Sequence, residues 1–372
     1  MLVGVPREIK TEEHRVGLTL GSVRELVRAG QQVIVETGAA HRIGIDDEDY
    51  VAAGARIAAD AAEVFARADM IVKVKEPQPA EIAMLRDGQI LFTFLHLAPD
   101  RAQTQGLIES GCIAIAYETV TDDFGGLPLL APMSEVAGRM AVQAGAHCLE
   151  TEHGGRGILL GGVPGVRPGR VVVIGGGVVG TNALLVANGF GAQVTVLDTS
   201  HRRLAELDLE FRSLITTRQS QADSIEQEVL EADLVIGAVL VPGAAAPRLV
   251  TRDMVAAMKR GSVIVDVAID QGGCCETSRP TTHSDPSFVV DEVVHYCVAN
   301  MPGAVARTST LALNNATLPF VRKLAVEGWR EAMLGDPHLL RGLNVYRGRL
   351  THGAVAEAQD RDHVPPQEAL AA

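Results

Sequence analysis

Residues 171–197 read Val-Val-Val-Ile-Gly-Gly-Gly-Val-Val-Gly-Thr-Asn-Ala-Leu-Leu-Val-Ala-Asn-Gly-Phe-Gly-Ala-Gln-Val-Thr-Val-Leu, with Asp198 next. No charge interrupts these 27 residues, and a bilayer crossing needs only about 20. Six glycines and the amides of Asn182, Asn188 and Gln193 argue against one lipid-facing helix. They suit strand, turn, helix, turn and strand. Gly175-Gly176-Gly177-Val178-Val179-Gly180 fits G-x-G-x-x-G between a strand at 171–174 and a helix beginning near Val178. There Gly175 permits the tight turn, Gly177 lets the backbone approach a pyrophosphate, and Gly180 lets helix and strand pack closely while the helix N-terminus stabilises the anion. The strand at 193–197 ends at Asp198, 18 residues past Gly180, where a carboxylate binds ribose hydroxyls. The bland alternative is a packing turn followed by a helix cap. A carboxylate at Asp198 repels a 2′-phosphate and favours NAD over NADP, whereas Arg202 and Arg203 either accept such a phosphate or merely open an exposed helix. NAD is the expected cofactor.

Strand runs alternate with helix-period segments on both sides of this stretch. Upstream they are Leu2 to Val5, Val33 to Glu36, Met70 to Val74, Ile90 to Phe94 and Ile113 to Ala116; a helix from Leu18 to Ala29 stops at Gly30. Downstream they are Leu234 to Ala238, Ser262 to Val267 and Tyr296 to Ala299. A turn-rich connector, Tyr117 to Met133, ends where Ser134 caps a helix running to Glu150. The expected class is α/β, with two doubly wound parallel-sheet domains, the second a Rossmann dinucleotide-binding unit inserted into the first. The expected division is 1–130 with 306–372 for a discontinuous substrate and catalytic domain, and 131–305 for the NAD-binding domain. The pattern after Met301-Pro302-Gly303 is helical, and the tail beyond Glu357 lacks an apolar stripe and is expected to be poorly ordered.

The chain has 372 residues, 47% hydrophobic, with net charge -13. That excludes a disordered or collagenous chain. The acidic balance also argues against nucleic-acid or anionic-membrane partners, which need a positive field. Cys112, Cys148, Cys274, Cys275 and Cys297 are odd in number and lack C-x-x-C spacing, which suits reduced cytosolic thiols. The N-terminal residues show no secretory signal, so the cytoplasm is the expected compartment.

In open parallel sheets ligands gather outside the carboxyl ends of the strands. That filter selects Arg15 in the loop after the first strand, Lys75 after the third, His96 after the fourth, and Asp270 after the strand at 263–265. Val239, Leu240 and the run Val267, Ala268, Ile269, Asp270 are expected to face the dinucleotide. Two cations suit the carboxylate and oxo group of a small 2-substituted acid, and an imidazole suits proton transfer. Lys73 competes with Lys75, because both fall on one strand face, and Asp266 competes with Asp270. Each of these residues also has an ordinary role open to it as a solvated charge or a hydrogen-bonded core group.

Longer strings in the sequence are similar to the alanine dehydrogenase family. They are Glu8-Ile9-Lys10 with Glu13 and Arg15-Val16, Val74-Lys75-Glu76-Pro77, Phe92-Thr93-Phe94-Leu95-His96-Leu97, Ala131-Pro132-Met133-Ser134-Glu135-Val136-Ala137-Gly138, Gly161-Gly162-Val163-Pro164-Gly165, Asp266 to Gly273, and Val298-Ala299-Asn300-Met301-Pro302. The resemblance covers nearly the whole chain. It implies that Arg15, Lys75 and Asn300 bind substrate and that His96 and Asp270 carry acid/base work. It further implies NAD contacts from Ser134, Val178, Asp198, Arg203, Ser220, Val239, Leu240, Arg279 and the loop Val298, Ala299, Asn300, Met301. The implied reaction is reversible NAD-dependent oxidative deamination of L-alanine to pyruvate and ammonium, a step of L-alanine catabolism, in a homohexamer. Some relatives carry a metal-binding Glu and His near Leu318 to Trp329; here those places read Lys323 and Glu327, expected as an i,i+4 ion pair, and no metal is expected. Competing functions are the soluble NAD-binding component of a proton-translocating transhydrogenase and a non-catalytic NAD-binding protein.

Overall fold

The computed structural model describes residues 1–239 and 246–371. Its strands in chain order are β1 (Leu2–Val5), β2 (Gln32–Glu36), β3 (Arg56–Ala58), β4 (Met70–Val72), β5 (Ile90–Thr93), β6 (Ile113–Ala116), β7 (Arg170–Ile174) and β8 (Gln193–Asp198). They continue as β9 (Thr216–Gln219), β10 (Leu234–Gly237), β11 (Val263–Asp266), β12 (Ser287–Val290), β13 (Val293–Tyr296), β14 (Leu343–Tyr346) and β15 (Arg349–Leu350). Two compact units contain them: unit 1 is Met1–Met133 with Val305–Ala372, and unit 2 is Ser134–Ala304.

In unit 1 the sheet order is β15-β14-β6-β5-β4-β1-β2-β3. Strands β1 to β6 pair in parallel, and β14 and β15 add an antiparallel edge. β1 lies between β2 and β4, so the chain direction reverses beside β1 and β4. Their carboxyl ends therefore flank the place where such sheets hold ligands. Apolar side chains such as Ile34, Phe65, Ile71, Leu91 and Ala114 fill one core of this unit.

Unit 2 has the order β12-β13-β11-β10-β7-β8-β9, parallel except for β12. Its reversal lies between β7 and β10. Two cores cover its faces, one around Val171, Val173, Leu184 and Val265, the other around Val172, Ile174, Val235 and Ile264. Alternate residues of β7 thus enter opposite cores, which is why the strand reads as an unbroken apolar run. The helix after the glycines, Val178–Gly189, has 12 residues, and no helix among the described residues is long and apolar enough to cross a membrane.

Several sequence expectations are corrected. β3, β9, β12, β14 and β15 carried no clear signal: β9 is Thr-Thr-Arg-Gln with no buried position, and β3, β9, β12 and β15 are short strands at or beside sheet edges. β13 spans Val293–Tyr296 rather than Tyr296 to Ala299, because the polar-looking His295 is fully buried, its Nε2 2.7 Å from Thr277 Oγ1. Ser134 is not a helix cap; the helix runs Ala131–Cys148 and Ser134 lies in its first turn. The tail is structured: Gly353–Gln359 and Pro366–Ala371 are helical. Gln359 is buried and its amide donates to Leu97 O at 2.6 Å and Thr104 Oγ1 at 2.9 Å, while Ala369 and Leu370 are buried too. Lys323 pairs with Asp336 at 3.0 Å instead of with Glu327. All five cysteines are unbridged and buried.

Candidate functional site

Unit 2 builds its ligand loop from the turn between β7 and the helix Val178–Gly189. Gly175 has φ 102°, and a Cβ there would meet Ala238 O at 2.7 Å. At Gly180 a Cβ would stand 1.8 Å from Gly175 O, so only glycine lets this helix close on the strand. At Gly177, by contrast, no atom among the described residues lies within 4 Å of such a Cβ. Gly177 is also the N-cap of the helix, whose first N–H groups lack intrahelical acceptors. Open space at a helix N-terminus accommodates the pyrophosphate of NAD.

Asp198 ends β8, and its carboxylate accepts N–H bonds from Gly176 and Ser200, each at 2.7 Å. It is therefore neither a spare charge nor the cap of the next helix, a place taken by Ser200. Arg203 donates to Gly176 O at 2.8 Å and Thr181 Oγ1 at 2.7 Å and pairs with Glu206 at 2.9 Å. It staples the glycine loop rather than opening an exposed helix. Arg202 is the solvated one, 90% exposed and 3.5 Å from Glu206. With Arg203 engaged and Asp198 at the strand end, the residues fit a ribose bearing free hydroxyls, as in NAD.

The remaining cofactor candidates of unit 2 follow its strand ends. Ser220 comes after β9 and its N–H donates to Asp198 O at 2.9 Å. Val239 follows β10, half-buried, and Leu240 lies outside the described residues. β11 runs into a 3-10 turn, Val267–Gln271, in which Ala268 and Ile269 are buried and Asp270 is exposed. Asp266, by contrast, is fully buried and accepts N–H bonds from Cys274 at 3.0 Å and Cys275 at 3.2 Å. Burial and the nearby Asp266 charge push the Cys274 thiol well up, which keeps it protonated. After β13, Val298 and Met301 are buried, Ala299 is exposed, and Asn300 adopts a left-handed φ of 71°. Arg279 is exposed, its guanidinium 4.2 Å above the Phe288 ring.

Unit 1 presents its candidates at the ends of three neighbouring strands. β1, β4 and β5 are adjacent and parallel, so the loops leaving them emerge side by side. Arg15 lies in the loop after β1, 2% exposed, and Glu13 fixes its guanidinium through Nε at 2.7 Å and a second nitrogen at 2.5 Å. Its third nitrogen meets Met133 Sδ at 3.0 Å, and sulfur is a weak acceptor.

Lys73 and Lys75 both follow β4 and separate cleanly. Lys73 is buried between Glu8 at 2.9 Å and Glu81 at 2.7 Å. Burial opposes its charge, yet the two carboxylates outweigh that and raise its pKa. Burial raises Glu8 more than Lys73 lowers it. Glu8 also accepts the N–H groups of Val74 at 2.6 Å and Lys75 at 3.3 Å. The buried triad thus anchors the loop that carries Lys75, whose side chain is half-buried.

His96 follows β5 with a left-handed φ of 50°, a conformation that costs energy for a non-glycine residue unless it is held. Glu118 holds it, accepting the N–H of His96 at 2.6 Å and that of Leu95 at 3.2 Å. The imidazole is 44% exposed and lies parallel to Phe94, ring centroids 5.6 Å apart. Glu118 was not among the sequence candidates. It stands two residues beyond β6, so the strand-exit filter, extended to that strand, finds it.

Comparison with known proteins places these strings in context. The model of the alanine dehydrogenase/PNT N-terminal domain matches residues 4–137, and that of the alanine dehydrogenase/PNT C-terminal domain matches residues 141–353. The chain is 61% identical to an alanine dehydrogenase of Halomonas elongata over 98% of both chains. It is 53% identical to that of Methanococcus maripaludis over the full length of both. A solved L-alanine dehydrogenase superposes with TM-score 0.94 at 54% identity, covering 97% of this chain and 99% of that one. A transhydrogenase from Sinorhizobium meliloti superposes with TM-score 0.82 at 26% identity, covering 95% of this chain and all of that one.

Proposed function

The chain belongs to the alanine dehydrogenase/PNT family and is an NAD-dependent oxidoreductase of the CH–NH2 group of L-alanine, and we propose how its residues divide that reaction. L-Alanine, NAD+ and water give pyruvate, ammonium, NADH and a proton. Unit 1 is the substrate and catalytic domain, and unit 2 is the NAD-binding domain. The observation that carries this division is the row of exits in unit 1, where Arg15, Lys75 and His96 leave three adjacent parallel strands.

Arg15 and Lys75 hold the substrate carboxylate and, in the reverse direction, the oxo group of pyruvate. Glu13 orients the guanidinium, and the Glu8–Lys73–Glu81 triad positions the ammonium. NAD, bound at the glycine loop of unit 2 and by Asp198, supplies the two-electron acceptor for the hydride of the substrate Cα. His96 moves protons as water adds to the resulting imine and ammonia departs, its backbone bend held by Glu118. Asp270 balances the iminium charge or orients that water, and Asn300 joins the substrate contacts. A homohexamer belongs to the same proposal and rests on the family resemblance, and a cytoplasmic location rests on the five unbridged cysteines.

The test follows NADH absorbance with pyruvate and ammonium, together and singly. Consumption requires both. Equal consumption with pyruvate alone would show a 2-hydroxy acid enzyme and overturn the amino-acid chemistry.

A further inference from the structure

One surface cluster of unit 2 takes no part in this chemistry. His147, Glu150 and His153 stand where the helix Ala131–Cys148 gives way to the 3-10 turn Thr151–His153. The Glu150 N–H donates to His147 O and the His153 N–H to Glu150 O, each at 3.1 Å. Residues three apart eclipse in such turns, so the pattern His-x-x-Glu-x-x-His brings the three side chains to one edge.

His147 Nδ1 lies 3.4 Å and His153 Nε2 3.6 Å from the same oxygen, Glu150 Oε2. The two rings are 3.8 Å apart at their centroids, and one ligand atom from each residue lies within 4.8 Å of the others. Both nitrogen–oxygen separations exceed an ordinary hydrogen bond of about 2.7–3.2 Å. The 3.4 Å separation equals the edge of a tetrahedron around zinc, about 3.3–3.4 Å for bonds of about 2.0–2.1 Å, and the 3.6 Å separation lies slightly beyond it. Two imidazoles and one carboxylate are a ligand set that zinc takes with a fourth position open to water, and that magnesium or calcium, which seek oxygen, do not. The negative end of the helix adds to the attraction for a cation.

We propose that His147, Glu150 and His153 form a binding site for a divalent transition-metal ion of the zinc type. The ion clamps the end of the helix Ala131–Cys148 to the turn that follows, and it is a structural accessory rather than part of the reaction.

The test titrates Zn2+ into the full chain by calorimetry, comparing the wild type with the double variant His147→Ala/His153→Ala and with Glu150→Gln. Co2+ as a second probe reports tetrahedral ligation through its visible absorption. The wild type is expected to bind one more zinc per chain than the double variant and to develop the cobalt bands, which the double variant lacks. Glu150→Gln is expected to weaken both signals, which keeps the test valid if the double variant fails to fold. Activity without added metal is expected to be the same in Glu150→Gln as in the wild type. Zinc stoichiometry and affinity equal in all three proteins would overturn the proposal.

Discussion

The exits of β4 in unit 1 and β11 in unit 2 each offered two like-charged candidates, and the structure divides both pairs in the same way. Lys73 and Asp266, nearer the strand, are buried and spend their charge on the loop beyond them. Lys75 and Asp270, farther along, are the ones that the anchored loops carry outward. At a strand exit, then, the first charge fixes the loop and the second is displayed by it. The pairs differ in how the anchor works. Lys73 is neutralised by two carboxylates, whereas Asp266 is satisfied by backbone N–H groups and a thiol, the Cys274 Sγ lying 3.6 Å from Oδ1.

That difference sets the order of expected effects. Lys73→Met leaves Glu8 and Glu81 buried together without their cation, and removing one partner of a buried ion pair costs about 3–5 kcal/mol. Urea unfolding measures it, and a loss below about 1 kcal/mol would show that the triad anchors nothing. Asp266→Ala strands the N–H groups of Cys274 and Cys275, an expected loss of about 1.5–3 kcal/mol. The same unfolding experiment reads it, and an unchanged midpoint would break the parallel between the two exits. Asp270→Asn and Lys75→Met should leave stability within about 0.5 kcal/mol while lowering turnover and raising the pyruvate KM, respectively. Steady-state kinetics beside unfolding curves decide the matter. A displayed residue that destabilises as much as its anchor would erase the distinction.

The glycine loop was legible because three positions each answer a separate steric demand, and Gly180 facing Gly175 O leaves no other residue possible. The strands β1, β6 and β7 were legible as well, since buried parallel strands are apolar along their buried lengths, as in Val171 to Ile174 of β7. The choice between Lys73 and Lys75 was not, because a period of two puts both on one face and only the pairing of Lys73 with Glu8, 65 residues away, and with Glu81 separates them. Asp266 was hidden similarly by bonds to a loop eight and nine residues on. The tail was misread because its order comes from single polar anchors such as Gln359 on Leu97 O, which leave no periodic trace. Glu118 was missed for a related reason: its task is to hold a backbone bend in another strand's loop, and the bend itself is invisible in a histidine's name.

The central claim is that His96 of unit 1 moves the protons of the reaction while unit 2 holds the cofactor, and His96→Ala tests it most directly. Turnover with pyruvate and ammonium and NADH affinity by fluorescence titration are to be measured on the same protein. The predicted result is a fall in turnover of roughly 10²–10⁴-fold, the usual worth of a general acid/base, with NADH affinity unchanged. Retained turnover, or a parallel loss of NADH binding, would contradict it.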